Sequence, residues 1–83
     1  MTINEITQKI IGAAYSVGNE LGSGFLEKVY ENAMMVELEK VGLKAKNQVP
    51  LKVYYKGVVV GDYIADLFVE DSVIVELKST KNT

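Results

Sequence analysis

Ile3, Ile6, Ile10, Ala13, Ala14, Val17 and Leu21 recur at steps of three and four residues, the period of a helix that buries one face. Thr2 and Glu5 stand at capping-box spacing, in which each side chain satisfies an orphan amide of the first turn. The pattern predicts a helix over residues 3–21, ended by Gly22-Ser23-Gly24. A second helical pattern runs from about Phe25 to Val41, and Gly42-Leu43 behind it suits a left-handed cap with an apolar contact. After Lys44 the period changes. Val49, Leu51, Val53, Tyr54 and Tyr55 form a β-type segment, in which Pro50 suggests a strand start or an edge position. Lys56-Gly57 is a turn signal, "VVVGDYIADLFV" a second strand with Gly61 marking a bulge, Glu70-Asp71-Ser72 another turn, and "VIVELKS" a third strand. The expected architecture is α/β in the α+β sense: two N-terminal helices packed on a three-stranded antiparallel meander. The third strand reads as apolar on both faces until Glu76, yet two helices cover only one. Either another subunit or further chain is expected to complete the sheet, so self-association into a homo-oligomer through the exposed sheet edge is predicted.

Composition narrows the chemistry. A chain of 83 residues is one domain, 1–83, with a modest core. No apolar run approaches the ~20 residues of a membrane span, and the N-terminus lacks the layout of a signal peptide, so a cytoplasmic protein with no membrane partner is expected. The absence of cysteine and histidine excludes thiolate and imidazole metal sites, cysteine nucleophiles and serine–histidine machinery. Carboxylates, lysine, tyrosine, hydroxyls and backbone remain. The net charge of −2, with every one of the nine basic residues a lysine, argues mildly against strong nucleic-acid binding. Lys44, Lys46, Lys52 and Lys56 nonetheless gather around the first hairpin, where they either meet phosphates or lie on a solvated strand face.

Four charged residues do not fit the apolar pattern. On an ideal helix Met34 and Leu38 lie within about 20° of Glu27, so Glu27 points along the apolar stripe; it either serves the positive end of the helix dipole or meets a partner inside. Tyr30, one turn on, is either core or a hydrogen-bond partner for a site carboxylate. Glu76 and Lys78 are two apart on a strand and share a face. Asp66 joins them only if the connection before the third strand has an odd length: pairing Val69 with Val73 across Glu70-Asp71-Ser72 sets Asp66 opposite Glu76, whereas a one-residue slip exchanges faces. Two facing carboxylates repel unless a cation intervenes. A hard divalent ion such as Mg²⁺ or Mn²⁺ suits Asp66, Glu76 and the Leu77 carbonyl as oxygen ligands, with Lys78 beside them to hold a water or steady negative charge, a layout for phosphodiester hydrolysis. The plainer alternative is that Lys78 neutralises the two acids at a sheet edge.

"GFLEKVY", Gly24 to Tyr30, matches the motif that names the GxxExxY proteins, a group assigned to the PD-(D/E)XK nuclease superfamily. The stretch "NQVPLKVYYKGVVVGDYIADLFVEDSVIVELKST" resembles the same group in its Gln-Val-Pro, Tyr-Lys-Gly, Ala-Asp-Leu and Val-Glu-Leu-Lys. The resemblance implies a restriction-endonuclease-like core of helix, three-stranded meander, helix and strand, with Asp66 as the superfamily's aspartate, Glu76 and Lys78 as its Glu-x-Lys, and Glu27 as the helical acid that joins the metal cluster. It also implies a Mg²⁺- or Mn²⁺-dependent nuclease acting on DNA or RNA. Nothing in the sequence corresponds to the final helix and strand of that group, so a partial core is expected, and Gly18 stands where relatives often have histidine. Two alternatives stay open: an inactive interaction or oligomerisation module on the nuclease scaffold, and a cation-binding protein without a nucleic-acid substrate.

Overall fold

A computed structural model describes residues 1–78. The elements follow the order α1 (Ile3–Leu21), α2 (Glu27–Lys40), β1 (Ala45–Tyr55), β2 (Val58–Val69) and β3 (Val73–Val75), and the sheet is antiparallel in the order β1-β2-β3. This is the α+β arrangement predicted from the hydrophobic pattern. Helix α1 begins with the expected capping box: the Thr2 amide donates to Glu5 Oε1 at 2.7 Å and the Glu5 amide to Thr2 Oγ1 at 3.2 Å. Helix α2 ends as the Gly42-Leu43 pair suggests. Gly42 takes φ 84°, its amide donates to Glu39 O, and the Leu43 amide donates to Leu38 O at 3.0 Å. That is the paired bonding of a Schellman cap, and it swings Leu43 into the core beneath Leu38.

The core joins one stripe from each helix to one face of the sheet: Ile6, Ile10, Ala13 and Val17 from α1, Met34 and Leu38 from α2, and Leu67 and Val69 from β2. Ile3 and Ala14 depart from the predicted stripe and are exposed, Ile3 at the first helical position and Ala14 about 100° round the helix from buried Ala13. Val73, Val75 and Leu77 pack against the same cluster from the β3 side. Ile74 is 46 % exposed; β3 is therefore covered on one face, not buried on both, because both helices lie on the same side. Its ladder also stops at Val75, short of the predicted strand, whose Ser79 lies outside the described residues.

Hairpin β1–β2 is longer than the helix layer that covers it. Its register runs from Ala45↔Val69 to Tyr55↔Val58 and shifts by one between Val53 and Tyr54, which leaves Val60 as the extra residue beside Gly61, where a bulge was predicted. Lys56 and Gly57 both take positive φ, the mark of a two-residue type I′ turn. Pro50 sits on β1, an outer strand of the sheet, where a missing donor is tolerated. Past Val53 the arm leaves the core, and Tyr54, Tyr55, Val58, Val59 and Val60 are all exposed.

Stability therefore resides at the helix end of the sheet. Leu38→Ala, at a position with no exposure, is expected to lose about 2–5 kcal/mol, whereas Val60→Thr on the arm should stay within about 0.5 kcal/mol of wild type; urea denaturation followed by circular dichroism measures both.

Candidate active site at the fork of two strands

The connection before β3 has the odd length the site requires. Val69 pairs with Val73 across Glu70-Asp71-Ser72, followed by Phe68↔Ile74 and Leu67↔Val75. Glu70 and Asp71 both adopt positive φ, unfavourable for residues with a Cβ, and the turn is held by side-chain and main-chain bonds. Ser72 N–H donates to Val69 O, Ser72 Oγ to Glu70 O, Glu70 N–H to Lys44 O at 2.8 Å, and Lys44 N–H to a Glu70 carboxylate oxygen at 2.7 Å. Counting back along this register sets Asp66 opposite Glu76.

There the two strands part. The next contacts after Leu67↔Val75 run between side chain and backbone: Asp66 N–H donates to Glu76 Oε2 at 3.4 Å and Leu77 N–H to Asp66 Oδ2 at 2.9 Å. Each carboxylate is thus held by the other strand's amide, which reduces the repulsion of a facing pair. Tyr63, which the sequence pattern gave no reason to single out, joins them. Its hydroxyl donates to Glu76, and this bond, with some desolvation and the negative charges of Glu76 and Asp66, raises the phenol above its ordinary pKa.

The remaining predicted residues stand elsewhere around this fork. Lys78 lines a shallow concavity with Gly18, Gly22, Ser23 and Tyr30, and no ion pair joins it to either acid among the described residues. Glu27 is exposed in the first turn of α2, where the helix dipole favours a negative charge. Tyr30 ties down the interhelical loop: its hydroxyl donates to Gly22 O at 2.7 Å and accepts from Phe25 N–H at 3.3 Å. Among the described residues no three acidic side chains converge closely enough to hold a metal ion. Asp66 and Glu76 are the two predicted acids that the fold brings together. As a donor set they are hard oxygens in a chain without thiolate or imidazole, which fits a hard divalent cation and no softer metal.

The acid that α2 buries is Glu31, 5 % exposed. It accepts from Asn47 Nδ2 at 2.8 Å, Gln48 Nε2 at 2.9 Å and Lys28 Nζ at 3.0 Å. A signal for it existed, since Glu31 lies three residues before Met34 and seven before Leu38, on the same stripe. Burial by itself raises its pKa, but the hydrogen bonds from Asn47, Lys28 and Gln48 and the Lys28 charge outweigh burial and lower it.

A carboxylate whose folded pKa is depressed contributes stability above its unfolded pKa, and the contribution is lost as pH falls through the folded value. Asn47→Ala, which removes one bond to this buried charge, is expected to cost about 1.5–3 kcal/mol at pH 7. The deficit should shrink on acidification below pH ~4, as measured by urea titration at a series of pH values.

No described helix is long and apolar enough to cross a membrane. No curated protein and no solved structure matches the sequence significantly. A family model described as the PD-(D/E)XK nuclease superfamily matches residues 4–83, and nucleases of that superfamily typically use divalent metals. The match spans both helices, the whole meander and the Asp66–Glu76 fork, and the chain belongs to the PD-(D/E)XK nuclease superfamily.

Proposed function

We propose that this protein is a Mg²⁺-dependent nuclease of the GxxExxY group, working in the cytoplasm on DNA or RNA. The observation that carries the reading is the interlocked pair at the fork, Asp66 held by the Leu77 amide and Glu76 by the Asp66 amide. Asp66, Glu76 and the Leu77 carbonyl would hold the ion, Mn²⁺ serving in place of Mg²⁺. When bound, a divalent ion supplies Lewis acidity toward a phosphodiester oxygen. The protein's own groups do the rest: Tyr63 orients the Glu76 carboxylate through its hydroxyl, and the Lys78 ammonium steadies negative charge or holds the attacking water. Four of the nine lysines and none of the eleven acids fall between Lys44 and Gly57, so the first hairpin is the surface that meets phosphates. Lys46 and Lys52 are paired with Asp71 and Asp62, but both pairs are exposed and weak enough to be exchanged for a phosphate.

Purified protein with Mg²⁺ should nick plasmid DNA or cleave RNA, and Glu76→Ala and Lys78→Ala should each lower the rate by about two to three orders of magnitude. Equal cleavage by wild type and Lys78→Ala would sink the proposal. Mg²⁺ titration followed by NMR at Asp66 and Glu76 separates binding of the ion from turnover.

The exposed arm favours a second reading, an interaction module that associates through its sheet. Tyr54, Tyr55, Val58, Val59 and Val60 present apolar surface on both sides of the hairpin, more than isolated surface residues require. On this reading static light scattering shows a homo-oligomer that Val60→Lys dissociates; a strict monomer at millimolar concentration would exclude it.

A further inference from the structure

Asn47 and Gln48 are successive residues of β1, and both donate to the same Glu31 carboxylate. Neighbours on a regular strand point to opposite faces and cannot both do so. They manage it here because Gln48 takes φ 52°, a left-handed conformation rare for a residue of its kind. The distortion has a definite place. In the register Asn47↔Leu67, Val49↔Ala65, the residue facing Gln48 would be Asp66, and that pairing is missing. On the other side of β2 the ladder with β3 stops at Leu67↔Val75. Along the whole of β2 only Val60, in the bulge, and Asp66 have no ladder partner. Asp66 thus stands in a gap on both sides, and the residue across the gap toward β1, Gln48, is bonded to the buried Glu31 of α2.

We infer that Glu31 is a positioning residue: acting through Gln48, it holds the irregularity in β1 beside Asp66 and so fixes where the Asp66 carboxylate stands against the Leu77 amide. Without the anchor, Gln48 relaxes to ordinary extended backbone, the missing β1–β2 pair closes, and the Asp66 backbone turns with it. Backbone strain of this kind persists only where the surroundings over-determine it, and three hydrogen bonds to a buried carboxylate do so here. Lys28 lends charge to the anchor but lies mostly in solvent, so the two β1 amides carry the geometry. The inference concerns the same Asp66 that the nuclease reading places at the ion, but its first readout is independent of any ion.

That readout is hydrogen exchange at the Leu77 amide, which donates to Asp66 Oδ2. Glu31→Met keeps the volume and removes the acceptor. It should lower Leu77 protection at least tenfold more than it lowers protection of the α1 core amides, which track global stability. Adding Gln48→Gly should restore it, because glycine takes positive φ without steric cost. Gln48→Val, which leaves Glu31 intact but disfavours positive φ, should reproduce the loss and serves if Glu31→Met does not fold. A Leu77 loss that merely follows α1, or no recovery with glycine at position 48, would overturn the inference. The second readout is apparent Mg²⁺ affinity at Asp66 and Glu76, which should weaken about tenfold in Glu31→Met and recover with Gln48→Gly. Absence of any Mg²⁺ response in wild type would defeat the nuclease reading and leave the Leu77 result to decide the positioning role.

Discussion

A three-residue connection between β2 and β3 determines on which side of the sheet every acidic residue of those strands stands. Because side chains alternate with a period of two, one residue more or less in Glu70-Asp71-Ser72 would exchange faces and separate Asp66 from Glu76. The turn is not intrinsically easy, with left-handed backbone at two residues that carry a Cβ. Its stability comes from Lys44, whose carbonyl accepts from the Glu70 amide and whose own amide donates to the Glu70 carboxylate. The register of one hairpin is therefore secured by the residue that opens the other, and the α2 cap at Gly42-Leu43 places that residue.

Irregular backbone gathers around Asp66. Gln48 is left-handed on one side, and on the other β3 abandons the ladder and exchanges side-chain–backbone bonds. A regular three-stranded sheet would pair Asp66 from both directions and hold its carboxylate wherever the pleat put it. Opening the ladder on both sides frees the carboxylate to be set by specific partners. A chain this short has little core with which to offset distortion, and both irregularities beside Asp66 are tied to a buried or backbone-bound polar group.

Charge is distributed as unevenly as strain. The segment from Lys44 to Gly57 carries four lysines and no aspartate or glutamate, while the remainder carries all eleven acids. The net charge of −2 hides this division. The same arm carries exposed valines and tyrosines, so it offers apolar and cationic contact on one protruding element.

Local physics made most of the fold legible in the sequence. The capping box at Thr2-Glu5, the glycine cap at Gly42, the Lys56-Gly57 turn and the period-three-to-four stripes act within a few residues, and apart from Ile3 and Ala14 on the α1 stripe they appear where the pattern put them. The register that joins Asp66 to Glu76 was legible too, conditional on turn length. Tertiary structure decided the rest. Glu27 and Glu31 lie one turn apart on nearly the same stripe, and only the path of β1 under α2 determined that Glu31 is the buried one, because burying a carboxylate requires donors and Asn47 and Gln48 supply them. Tyr63 reached Glu76 through the fork between two strands, a contact between segments thirteen residues apart that no local period encodes.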